Sequence, residues 1–219
     1  MIHPTRSLFS KMCLLFSAVV IAAWTPTAAE PDQPTPTKSS EAEASVTKDQ
    51  HSDNVANLSF VMPNGERVLR LEVAIDTDLA TVWENFTTES GVSTWMVGKA
   101  RIDLRTGGTM RTQYDMSRSL DDTSAIVLGI PAFLPRELLI YKIHLNGVFP
   151  EKCRQEDQNL QEILQFRADG KNRTIVTSSM VGWGTGPEWD KAYSFFERGN
   201  IWTYGQLVER FTTGPVKWE

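Results

Sequence analysis

Glu162 is the residue whose type and setting come nearest to acid–base chemistry. It lies in the strand-like segment Leu160 to Ala168, where Leu164 and Phe166 share one side, and a period of two sends Glu162 to that same side. A carboxyl facing an apolar cavity has its charged form disfavoured, which raises its pKa toward a range useful for proton transfer. Tyr114 or Tyr141, each on a neighbouring strand-like segment, would then hold a carbonyl oxygen beside it. The competing reading puts Glu162 at an open rim, or pairs it with a cation such as Arg111 or Arg173. The other carboxylates have simpler explanations. These are Asp103, Glu188 and Asp190, and the last two fall in the first turn of a helix, where negative charge offsets the macrodipole.

Other chemistries find less to work with. Beyond residue 29 the only histidines are His51 and His144, the latter read as outward on a strand, and no His/Cys/carboxylate group has ligand spacing, so no metal site is expected. There is no Gly-x-Ser-x-Gly elbow for a nucleophilic serine. Gly182-x-Gly184-x-Gly186 before a helix is similar to a phosphate loop, but a dinucleotide site needs a strand after the helix, and here the chain ends in that helix. The glycines instead let the backbone turn sharply into the helix, with Pro187 at its first position. No cofactor is implied. Cys153, in Glu151-Lys152-Cys153-Arg154, reads as an incidental surface thiol whose flanking cations would favour a thiolate.

The elements that must position Glu162 follow from periodicity. Trp189, Ala192, Tyr193, Phe196, Asn200, Thr203, Leu207 and Phe211 repeat at i, i+3, i+4 and i+7, predicting a helix of about six or seven turns with an aromatic stripe. Such a stripe needs cover, and the simplest cover is a mostly antiparallel sheet built from the segments before it. Leu58 to Met62 and Val68 to Ile75 flank the Pro63-Asn64-Gly65 turn. Asp76-Thr77-Asp78 offers a helix N-cap to Leu79, Val82, Trp83 and Phe86; Ser90-Gly91 breaks that helix, and Val92 to Met96 makes another turn or two. Lys99 to Leu104, Thr109 to Asp115, Ser124 to Phe133 and Leu138 to Leu145 read as strands. Leu160 to Ala168 and Arg173 to Val181 form a last hairpin around Asp169-Gly170, with Val176, Ser178 and Met180 inward.

Composition bounds the setting. Residues 1–29 read as a secretory signal peptide: Arg6 and Lys11 supply its positive end, Leu14 to Trp24 its apolar core, and Thr27-Ala28-Ala29 its cleavage site. The apolar run is too short for a confident span, so no integral membrane segment is expected after cleavage. Residues 30–57 carry Pro31, Pro34, Pro36 and few large apolar groups, and read as a disordered linker. Residues 58–213 then form one domain, with 214–219 as a tail. Loss of Arg6 and Lys11 takes the formal charge from −5 to −7, an acidic balance that argues against nucleic acid as a partner. The expected location is secreted and periplasmic.

Three stretches carry a family resemblance: Thr87-Thr88-Glu89-Ser90-Gly91-Val92-Ser93-Thr94-Trp95-Met96, Ala100-Arg101-Ile102-Asp103-Leu104-Arg105-Thr106-Gly107-Gly108, and Glu188-Trp189-Asp190-Lys191-Ala192-Tyr193-Ser194-Phe195-Phe196-Glu197-Arg198-Gly199. In this order, over about Arg67 to Phe211 and with Val82-Trp83 in the first helix, they resemble the START-like or SRPBCC superfamily, and within it the branch named after the activator of the heat-shock-protein ATPase. The resemblance implies an α+β helix-grip fold. A curved antiparallel sheet of about six or seven strands wraps a long C-terminal helix, two short helices follow the first strand, and a pocket lies between sheet and long helix. Relatives of that kind include lipid carriers, polyketide cyclases and chaperone activators, so function has to be argued from the site.

The pocket walls expected on this basis are Trp95, Tyr114, Tyr141, Glu162, Ser178, Met180, Trp183, Trp189, Tyr193 and Phe196, a mostly apolar set with a few placed polar groups. The reading is an exported protein that binds a small apolar or amphipathic molecule, with no protein partner specified. Two alternatives stand beside it: a cyclase- or dehydratase-type enzyme using Glu162 with Tyr114 or Tyr141, and a protein-interaction module of the chaperone-activator kind.

Overall fold

Alternation of Leu69, Leu71, Val73 and Ile75 with Arg70 and Glu72 is realised as a nine-residue strand whose apolar side is buried. The computed structural model describes residues 54–218. The expectations for residues 1–29 and for most of the 30–57 linker lie outside them. The linker's last residues do not fit that expectation. Val55 is buried, and Ala56–Asn57 (β1) pairs with Arg67–Ile75 (β3), because β3 leaves an edge that a short extended segment can satisfy. Phe60–Val61 (β2) pairs with the same strand further along, so the expected segment Leu58 to Met62 is shorter than predicted, with its turn at Gly65 in the left-handed region.

Asp78 caps the first helix, Leu79–Thr87 (α1), by accepting from the amides of Ala80 and Thr81. The second helix, Glu89–Val92 (α2), begins earlier than expected. Thr88, not Ser90-Gly91, makes the break: it is extended, and its hydroxyl accepts from the Gly91 amide as the new N-cap. Strands Lys99–Ile102 (β4), Gly108–Gln113 (β5), Ile126–Leu134 (β6) and Leu138–Ile143 (β7) follow as a meander. The segment after β7 holds a five-residue helix, Glu151–Gln155 (α3), before the hairpin of Gln161–Ala168 (β8) and Thr174–Val181 (β9). The long helix, Pro187–Thr213 (α4), has 27 residues and begins on Pro187 as expected. At about 1.5 Å per residue it is about 40 Å long.

All neighbouring strands are antiparallel, in the order β1-β3-β9-β8-β7-β6-β5-β4 with β2 also on β3. Among the described residues nine strands thus replace the six or seven expected; β1 and β2, of two residues each, account for the excess. The sheet is curved and open, with α4 against it, the arrangement of the helix-grip fold. Tail residues 214–218 are held as well: the Val216 amide donates to the Thr94 carbonyl and Trp218 Nε1 to the Ser93 carbonyl.

Candidate functional site

The β8/β9 hairpin fixes the site. Its turn is closed by the Asp169 amide donating to the Arg173 carbonyl with Gly170 at positive φ, and this sets the register that pairs Glu162 with Met180 and Leu164 with Ser178. On the other side of β8, Glu162 is the cross-strand partner of Tyr141 on β7. Glu162, Leu164, Phe166, Ser178, Met180 and Tyr141 therefore share the inner face, as the sequence parity predicts.

Glu162 lies deep in the fold. Its Oε1 accepts two short hydrogen bonds, from Ser178 Oγ at 2.6 Å and from Tyr204 Oη at 2.6 Å. Burial raises the carboxyl pKa, the two hydroxyls pull it down, and burial prevails. Burial also raises the Tyr204 pKa well above its ordinary value, with the Glu162 charge adding to the effect, so the phenol keeps its proton and stays a donor. Arg111 donates to the Leu120 carbonyl and Arg173 faces Asp169, so neither cation takes the role considered for it at Glu162.

Tyr141 does not hold a group beside Glu162, as the catalytic alternative requires. Its hydroxyl donates to the Phe86 carbonyl at 3.2 Å, with Met110 Sδ at 3.7 Å, and the ring is buried. Tyr114 lies just past the end of β5, half-buried against the core. Tyr204 supplies the hydroxyl instead. The stripe predicted from periodicity passes through Thr203, one position earlier, and so does not include it. Spacing from Asn200 (i+4) and from Tyr193 and Glu197 (i+11 and i+7) was the signal that could have found it.

The remaining expected wall residues fall into two groups along α4. Trp95 is fully buried; its Nε1 donates to the Asn85 carbonyl, and its ring packs 4.9 Å from Phe86 and 6.2 Å from Tyr204. It thus lies behind the Glu162–Tyr204 pair. Toward the start of α4, Trp183 is half-buried and meets Trp189, Tyr193 and Phe196 at 6.3, 4.9 and 5.6 Å. Phe149, from the segment after β7, stacks on Phe196 at 5.4 Å. Trp189 is fully buried and its Nε1 donates to Glu156. Between these groups Met180 faces Asn200, whose Nδ2 lies 3.1 Å from the sulfur.

Two sequence readings elsewhere are settled. His144 is exposed, with Nδ1 3.8 Å from Asp157. Cys153 is not a surface thiol: α3 turns it into the core, and burial, with Glu188 and Glu156 nearby, pushes its pKa up rather than toward a thiolate. Among the described residues no group of His, Cys, Asp and Glu could hold a metal ion, and no helix is long and apolar enough to cross a membrane.

The family of Activator of Hsp90 ATPase homolog 1-like proteins matches residues 76–212, more than half of the chain. The chain belongs to that family. No curated protein matches the sequence. Among solved structures, the chain is similar to the Aha1 dimer from Colwellia psychrerythraea, at 12% identity and a TM-score of 0.53, covering 67% of this chain and 97% of that one. It is also similar to a conserved protein of unknown function, EF2215 from Enterococcus faecalis, at 13% identity and a TM-score of 0.56, covering 78% and 85%. A third is DynU16, encoded in the dynemicin biosynthetic locus, at 19% identity and a TM-score of 0.51, covering 68% of this chain and 48% of that one. At these identities the likeness is one of fold. Like other members of the Activator of Hsp90 ATPase homolog 1-like family, this chain has α4 laid against a curved sheet, and its own residues place the Glu162–Ser178–Tyr204 cluster between the two.

Proposed function

We propose that this protein is an exported binding protein for a small apolar or amphipathic molecule, held between the sheet and α4. The observation that carries the reading is Glu162: a carboxyl deep among apolar side chains, held by Ser178 and Tyr204. Burying such a group costs free energy that a purely structural core avoids with an apolar side chain. The half-buried aromatic residues Trp183, Tyr193 and Phe196 supply apolar surface nearer the start of α4, beyond Met180 and Asn200. A ligand's apolar body covering them gains roughly 25 cal/mol per Å² removed from water, and the polar cluster orients it. Native mass spectrometry of protein purified from its own host tests this, with a co-purifying small molecule as the expected result. A clean apo mass, with no thermal stabilisation by a panel of lipids and polyketides, overturns it.

One observation favours a second reading. A carboxyl with raised pKa beside a phenol that keeps its proton is a general acid–base arrangement, so the catalytic alternative passes from Tyr114 or Tyr141 to Tyr204. Turnover of a carbonyl substrate lost in Glu162→Gln would favour it over simple binding.

A further inference from the structure

The two oxygens of Glu162 are treated differently. Both hydroxyl donors go to Oε1, whereas Oε2 has no partner among the described residues. Oε2 is also absent from the sealed, unsatisfied polar atoms of the interior, where among the described residues only Arg210 Nε stands. The residue is half-buried and not sealed. An oxygen that is unbonded and still reachable is open to a ligand, and Oε2 is the polar atom presented to it.

We infer that Glu162 Oε2 is the recognition atom of the site and that it selects a neutral ligand carrying a hydrogen-bond acceptor, such as a ketone or ester carbonyl on an apolar chain. This rests on the binding reading above and names the ligand class for it. With Oε1 filled by two O–H donors, the proton of the neutral form has its place on Oε2, where it is one donor free for a ligand. The surroundings give an anionic carboxyl little help. From β7 the neighbour is Tyr141, whose hydroxyl is spent on the Phe86 carbonyl; from β9 it is Ser178 and Met180; from α4 it is Tyr204, with Asn200 on Met180. No Lys, Arg or His of the described residues forms an ion pair with Glu162, and burial raises its pKa against the pull of the two hydroxyls. A ligand carboxylate would meet that donor but bring a charge that no cation there offsets. A neutral ligand carbonyl meets the same donor without that cost.

The test uses the full chain and three ten-carbon probes below their micelle concentrations, 2-decanone, decanoate and decylammonium, with dissociation constants measured by calorimetry from pH 5 to pH 9. The expected result is that 2-decanone binds at least tenfold tighter than decanoate at the acid end, and weakens at least tenfold as Glu162 ionises. Glu162→Gln places an amide N–H where Oε2–H stands and keeps an acceptor for Ser178 and Tyr204. It is expected to hold 2-decanone within threefold of the wild-type acid-limit value and to lose the pH dependence. Equal, pH-independent binding of all three probes, or preference for decylammonium or decanoate, overturns the inference while leaving the binding groove standing. Absence of binding by any probe, in the wild type itself, removes the groove reading and this one with it.

Discussion

At the scale of the residue, the Glu162 carboxyl depends on two hydroxyls of different origin, one from the neighbouring strand and one from a helix 42 positions further along the chain. Tyr204→Phe removes one of them and leaves the ring against Trp95 in place. The remaining bond stabilises the carboxylate less, so the Glu162 pKa is expected to rise above its already raised wild-type position, as read by carbon-13 NMR titration of the side-chain carboxyl. The loss of one buried hydrogen bond should cost about 0.5–1.5 kcal/mol in urea unfolding. An unchanged titration would mean that Tyr204 does not act on Glu162 in solution.

At the scale of the element, the turn from β9 to α4 decides where the helix lies, and therefore whether Tyr204 reaches Glu162. Gly182 is at φ 80°, and a Cβ there would stand 1.9 Å from the Asn159 backbone carbonyl oxygen, against a segment that cannot give way as a flexible side chain would. Gly182→Ala should therefore destabilise by about 2–3 kcal/mol, from strain at positive φ plus displaced backbone. Chemical denaturation measures this, and a loss below about 0.5 kcal/mol would contradict the close approach. The same elements show what could be read from sequence. The inward side of β8 was legible because a strand has a period of two and Leu164 and Phe166 leave Glu162 no other side. The partner on α4 was not. Successive helix residues differ by about 100°, so a trace through Thr203 and one through Tyr204 look equally apolar until the crossing of helix and strand is fixed by contacts far apart in sequence. Cys153 was misread for a related reason: its neighbours Lys152 and Arg154 are polar, and a helix as short as α3 has no stripe that reveals which residue turns inward.

At the scale of the whole molecule, a buried carboxyl with raised pKa ties global stability to pH. Between the unfolded-state pKa of Glu162, near its ordinary value of 4.5, and the raised value in the folded protein, the folded state binds more protons than the unfolded one. The slope of unfolding free energy with pH follows protons bound unfolded minus protons bound folded, so this residue's contribution is negative in that window. Stability is lost as pH rises from the lower pKa and the loss levels off above the upper one. Glu162→Gln removes the titration while keeping the shape and both hydroxyl contacts. Urea unfolding of the two proteins from pH 4 to pH 9 should show the variant gaining on the wild type across the window and holding a constant advantage above it. Parallel profiles would place the carboxyl in water, ionised without cost, and would undo the picture of a polar group enclosed beneath the long helix. A variant that instead loses ground as pH rises would mean that the carboxylate is the form the fold stabilises, with the two hydroxyls prevailing over burial.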